Sequence, residues 1–256
     1  MLLKNKTAVV TGCNRGIGKK ILEVFSANGA TIFACVRNIT EEFKTSLNDI
    51  KKKFNNQIIP VQFDLNDENQ IKEAAKNILS LNLSIDILVN NAATIYTSLF
   101  QMTSTKRLKE VFETDFFSQT LFTQYILKSM IKKKAGNILY ISSSSALDGN
   151  EGRSAYSAAK AAMIAQAKVL SREVGMYNIR VNTIAPGLTD TDMMRQSTPK
   201  EIVNEAISRI SLKRIANPEE IANIALLLSS DLSNYITGQV IRVDGGMWWR
   251  VMEQGK

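Results

Sequence analysis

The chain has 256 residues, 45% hydrophobic and 22% charged, with 13 Gly and 4 Pro, a balance that can fill a buried core and excludes an intrinsically disordered chain. Its 32 Lys and Arg against 24 Asp and Glu leave a formal charge of +8, yet apart from Lys51-Lys52-Lys53 and Lys132-Lys133-Lys134 the basic residues are scattered, which argues against a nucleic-acid partner. Histidine is absent, so a Ser-His-Asp triad is excluded and no metal site is expected.

Two cysteines, Cys13 and Cys35, are too few for a disulfide framework and suit a reducing, cytoplasmic setting. The segment from Met1 to Lys6 leaves no room for a signal peptide, and no apolar run approaches the roughly 18 residues of a membrane span.

Apolar, β-branched runs alternate with segments of helical periodicity, which predicts an α/β fold: one domain over residues 1–256, built on a doubly wound, seven-stranded parallel sheet of Rossmann type with helices on both faces. The strands are predicted at 7–11, 31–36, 58–63, 85–90, 136–142, 180–185 and 239–243. Long helices with apolar stripes are predicted at 104–132 and 154–176, and they carry more apolar residues than one sheet face needs.

The first strand runs into Thr11-Gly12-Cys13-Asn14-Arg15-Gly16-Ile17-Gly18, a glycine-rich strand-to-helix turn. Such a turn brings backbone N–H groups and a helix N-terminus up to a pyrophosphate. The second strand ends at Cys35-Val36-Arg37-Asn38, without the acidic residue that would accept hydrogen bonds from an adenosine ribose 2′-hydroxyl. Arg37 and Arg15 can instead clamp a 2′-phosphate from two sides, which selects NADP(H). After the third strand, Asp64-Leu65 places a carboxylate where it can accept from an adenine amino group or cap a helix. Asn90-Asn91-Ala92-Ala93 ends the fourth strand with small and polar residues, allowing close packing under a ribose.

The fifth strand closes in Ser142-Ser143-Ser144-Ser145, and 13 residues beyond Ser143 comes Tyr156-Ser157-Ala158-Ala159-Lys160. Four residues on a helix place Tyr156 and Lys160 on one face. A free phenol titrates near pH 10, and a neighbouring ammonium stabilises its phenolate, which makes Tyr156 a candidate acid-base group. The Ser143 hydroxyl can polarise the same substrate oxygen. Beyond the sixth strand, residues 187–214 lack strand character and are rich in Thr, Met and Lys, which suits a substrate lid at the carboxyl edge of the sheet.

These motifs, in this order, resemble those of the short-chain dehydrogenase/reductase family along nearly the whole chain: T-G-x-x-x-G-x-G at 11–18, Asn90-Asn91-Ala92, the Ser143, Tyr156 and Lys160 set, Pro186-Gly187 with Thr191, and Val243-Asp244-Gly245-Gly246. The resemblance implies hydride transfer between NADP(H) and a carbonyl or alcohol. It casts Tyr156 as the acid-base, Ser143 as the residue that orients the carbonyl, Lys160 as the holder of the nicotinamide ribose, and Thr189 and Thr191 as neighbours of the carboxamide. Asp115 stands where the family carries Asn, and its carboxylate can pair with Lys160 and retune the proton relay. The family's pattern also implies a homotetramer built on the two long helices, with the Met247-Trp248-Trp249 end packed either on a neighbouring subunit or on the local core.

Within the family the sequence most resembles 3-oxoacyl-[acyl-carrier-protein] reductases, through G-N-I-x-x-I-S-S at 136–143 and I-T-G-Q-x-x-x-V-D-G-G at 236–246. That resemblance implies an acidic carrier protein docked on basic residues near the cleft. Lys134 matches one such position, while Tyr177 occupies another. Two other readings remain open at this point: an oxidoreductase of sugars or sugar phosphates in surface or flagellar glycan synthesis, using Thr198, Lys200 and Arg195, and a non-catalytic dinucleotide sensor. A sensor would have no need of Ser143, Tyr156 and Lys160 together.

Overall fold

A computed structural model describes residues 1–247 of the chain. Its strands are β1 Thr7–Thr11, β2 Thr31–Val36, β3 Ile58–Gln62, β4 Ile87–Asn90, β5 Gly136–Ile141, β6 Ile179–Pro186 and β7 Val240–Val243. They form one all-parallel sheet in the order β3-β2-β1-β4-β5-β6-β7, the doubly wound arrangement read from the sequence. Central strands are covered on both faces and so have no polar side, which is why β1, β2 and β5 are nearly unbroken apolar runs. Edge strand β3 is buried only at Ile58, alternates half-buried and exposed positions beyond it, and tolerates Pro60, which has no N–H for a ladder.

Successive side chains point to opposite faces, so Val10, Ile32 and Ala34 pack against α1 Gly16–Ala27, α2 Glu41–Phe54 and α10 Pro218–Ser229. Val9, Phe33 and Leu88 pack on the other side against α3 Glu68–Ser80, α5 Ser118–Lys133 and α7 Ser154–Val174. Each fully buried side chain of this kind contributes about 1.5–3 kcal/mol. Helix starts follow local chemistry. The Thr40 and Asp67 side chains accept from the first-turn amides of α2 and α3, and Asn217 and Glu220 form a reciprocal capping box ahead of Pro218 at the start of α10.

One expectation is revised. The predicted continuous helix at 104–132 is divided into α4 Thr105–Phe112, a π-helical segment Glu113–Phe117 and α5. Rings of Phe112, Phe116 and Phe117 pack edge-on or tilted against one another along this widened turn, while Asp115 at its centre is completely buried. Segments of this kind concentrate at functional sites. The stretch 187–214, expected to lack strand character, holds two helices, α8 Asp192–Ser197 and α9 Lys200–Arg209. A four-residue helix, α6 Ser145–Asp148, follows β5. Trp248 and Trp249 lie outside the described residues. Among the described residues, no helix is long and apolar enough to cross a membrane.

Candidate active site

Because the sheet is parallel, every strand delivers its carboxyl end to one edge, and the winding reverses between β1 and β4. A crevice of about 1120 Å³ opens there, where open α/β sheets place ligands. One of its walls is the glycine-rich turn. Gly12 and Gly16 adopt φ of +66° and +54°, which favour glycine. A Cβ on Gly12 would come within 2.8 Å of Ala92 Cα, and one on Gly18 would overlap Gly12 O and the Asn91 side chain. Arg15 occupies the N-cap of α1 without capping it, so the first amides of that helix stay available.

The end of β4 is tied to this turn. Asn91 Nδ2 donates to Thr11 O (2.9 Å) and Gly12 O (3.0 Å), and Thr11 Oγ1 accepts from the amides of Asn91 and Ala92. At the rim, Asn14, Arg15 and Arg37 are exposed. Asp64 lines the crevice, its Oδ1 accepting from Asn66 N (2.9 Å), while the cap of α3 is Asp67. Capping as the reason for Asp64 is therefore removed.

Across the crevice stand Ser143 after β5, and Tyr156 and Lys160 on α7. Ser143 Oγ accepts from the Ser145 amide (3.2 Å) and meets the Ser145 hydroxyl (2.9 Å), which fixes its position. Lys160 is 1% exposed. Its Nζ donates to Ile141 O (3.1 Å), lies 5.7 Å from the centre of the Tyr156 ring, and sits 3.6 Å from Asp115 Oδ2. Asp115 Oδ1 accepts from Thr94 N (2.7 Å), whereas Oδ2 accepts no hydrogen bond. The carboxylate and the ammonium are thus a desolvated ion pair just beyond hydrogen-bonding reach.

Burial raises the pKa of Asp115, opposed by Lys160 and the Thr94 amide, and lowers that of Lys160, opposed by Asp115. The Tyr156 phenol is raised well above its usual value, first by burial and then by the Asp115 charge, with Ser143 and Arg153 pulling the other way.

All the cofactor-side residues expected from the sequence line this crevice, including Ile17, Leu65, Pro186, Gly187, Thr189 and Thr191. Asp115 lies beneath it. Thr191 caps α8 and packs on Gly16, joining the 187–214 stretch to the glycine-rich turn. Arg195 does not offer a free charge to a phosphate, being tied between Asp190 and Asp192. Lys134 caps α5 just before β5, at the amino edge of the sheet. The length of a six-residue strand, roughly 20 Å, separates it from the crevice of its own chain. This placement corrects the expectation of a basic residue near the cleft.

Reading the sequence missed Arg153, which lines the crevice one turn before Tyr156 and donates to Ser197 and Thr198 on the far wall. Its spacing to Tyr156 was visible, but its reach across 44 residues was not.

Comparison with known proteins adds the following. A family model described as Enoyl-(Acyl carrier protein) reductase matches residues 12–248. The chain is similar to the 3-oxoacyl-[acyl-carrier-protein] reductase FabG of Chlamydia trachomatis, at 39% identity over 246 residues, covering 96% of this chain and 98% of the relative. A solved structure described as a short chain dehydrogenase/reductase family protein superposes with a TM-score of 0.84 at 29% identity, covering 96% and 98% of the two chains. Another, described as an NAD(P)-dependent gluconate 5-dehydrogenase from Beutenbergia cavernae with bound NADP, gives 0.90 at 30% identity, covering 95% and 97%.

Proposed function

The chain belongs to the short-chain dehydrogenase/reductase family, and from that premise we propose that it uses NADPH to reduce the ketone of a 3-oxoacyl thioester, with Tyr156 as proton donor. The observation that carries this reading is the placement of Ser143, Tyr156 and Lys160 on one wall of a crevice whose opposite wall is the glycine-rich turn.

The residues present fit NADP(H). Glycines 12, 16 and 18 leave no room for a Cβ or adopt a conformation that disfavours one, so the backbone can approach a pyrophosphate. Arg15 and Arg37 on the rim suit a 2′-phosphate. Asp64 and Leu65 take the adenine, and Asn91, Ala92, Pro186, Gly187, Thr189 and Thr191 take the nicotinamide half. Lys160 holds the ribose hydroxyls. When bound, the nicotinamide supplies the hydride for the ketone carbon.

Tyr156 donates its phenolic proton to the ketone oxygen, and Ser143 donates a hydrogen bond to the same atom. Burial and Asp115 together keep the phenol protonated well past neutral pH, the form that carbonyl reduction requires. The relative at 39% identity is named for a 3-oxoacyl thioester substrate, and this supports the same substrate here. The thioester arm enters under a lid formed by residues 187–214, and the carrier protein docks by contacts other than the Lys134 of the same subunit. Exposed Leu108, Phe117 and Val169 on α4, the π segment and α7 form the faces through which four chains assemble.

The test is NADPH consumption against 3-oxoacyl thioesters, small ketones and sugar phosphates, repeated with NADH. Thioesters should be reduced fastest, and with NADPH in preference to NADH. Turnover of sugars alone would contradict the substrate assignment.

A further inference from the structure

Arg153 occupies the N-cap position of α7 without capping the helix. It precedes Tyr156 by three residues, a spacing that brings side chains to about 5–6 Å at Cβ. It is half-buried in the crevice wall. One nitrogen of its guanidinium, Nη2, makes every hydrogen bond recorded for the side chain: to Ser197 O (3.0 Å), Ser197 Oγ (3.3 Å) and Thr198 Oγ1 (3.2 Å). All three acceptors are neutral. The other, Nη1, is shielded from solvent and donates to nothing among the described residues.

None of the ion pairs among the described residues includes Arg153. Arg180 shows how this protein treats a half-buried arginine with a purely structural task. Its Nη1 donates to Ile236 O and its Nη2 to Leu228 O and Ser230 O, so both ends of the fork are used. At Arg153 half the fork is unpartnered, in a side chain that lines the same crevice as Tyr156, and a small turn of the guanidinium brings Nη1 to the crevice surface.

A partly desolvated cation without a counter-charge is unfavourable, and the planar guanidinium fork matches a carboxylate. We infer that Arg153 makes this crevice a site for substrates with a carboxylate a few bonds from the reacting carbon, so that a 3-oxo carboxylate is reduced as well as the 3-oxoacyl thioester. In the thioester, the C1 carbonyl oxygen takes the same Nη1. The inference rests on the carbonyl-reductase reading above.

The chemistry balances as in that reading. At the ketone one C–H and one O–H bond form as the C=O π bond breaks, NADPH is oxidised to NADP+, and the proton leaves Tyr156 and is replaced from solvent. The carboxylate is unchanged and a 3-hydroxy carboxylate is released.

The experiment compares kcat/KM for acetoacetate with that for the neutral acetoacetyl N-acetylcysteamine thioester, in the wild type, Arg153→Gln and Arg153→Lys. Taking the ratio of the two cancels any general effect of loosening the contact with Ser197 and Thr198. The acetoacetate-to-thioester ratio should fall about tenfold in Arg153→Gln, because both substrates lose a hydrogen bond from the guanidinium and acetoacetate alone also loses its counter-charge, and recover in part in Arg153→Lys. A ratio unchanged within about twofold, or a wild type that reduces the thioester but not acetoacetate, overturns the inference. Turnover of neither compound overturns the carbonyl-reductase reading, and the inference falls with it.

Discussion

At the level of single residues, burial and then the Asp115 carboxylate bear on the phenol proposed as the proton donor. Asp115 and Lys160 are both buried and 3.6 Å apart, so each charge offsets the other and the Asp115 carboxylate adds to the burial that disfavours a Tyr156 phenolate. In Asp115→Asn the shape and the acceptor for Thr94 remain while the negative charge goes. The phenolate then forms at lower pH. Alcohol oxidation needs deprotonated Tyr156 and carbonyl reduction needs it protonated, so the rising limb of oxidation and the falling limb of reduction should both move to lower pH. Profiles of kcat/KM measured in the two directions check this, and unchanged limbs would mean that Asp115 does not act on Tyr156. The departure at Asp115 was legible because Thr114-Asp115 stands at a recognisable position. The Thr94 bond and the Arg153 contacts were not, since they join parts of the chain 21 and 44 or more residues apart and no local pattern encodes them.

Elements differ in how openly the sequence declares them. Strands buried on both faces are nearly unbroken apolar runs, and so β1, β2 and β5 are read directly. The glycine-rich turn is equally plain, and its packing makes a specific claim. A Cβ on Gly18 would overlap Gly12 O and Asn91, so Gly18→Ala has to push α1 away from the end of β4. It should destabilise the fold by about 1–3 kcal/mol, as overpacking does, and weaken NADPH binding as well. Thermal melting with fluorescence titration of NADPH tests both, and a variant with wild-type stability and affinity would refute the packing argument.

The π segment was invisible because its one extra residue leaves an apolar stripe on both sides and has no composition of its own. In α9, Pro199 ahead of Ile202, Val203, Ala206 and Ile207 carries a readable helical period. The six residues of α8, capped by Thr191, are too few to show one.

For the whole molecule, α4, the π segment and α7 each present an apolar side chain to solvent. Phe117 is 51% and Val169 56% exposed. Light scattering should give the mass of four chains for the wild type and a smaller particle for the folded Phe117→Lys, Val169→Lys double variant, whereas a wild-type monomer would contradict the assembly. The fold brings Ser143, just after β5, together with Tyr156 and Lys160 of α7 on one side of the crevice, where Tyr156 is the group proposed to move the proton. The most direct test is Tyr156→Phe, measured for kcat with a 3-oxoacyl thioester and, separately, for NADPH affinity. Loss of about a hundred- to ten-thousandfold in kcat, the range for removing a general acid, with NADPH still bound at wild-type affinity, is the expected result. A Phe variant that reduces the thioester at the wild-type rate would contradict the account.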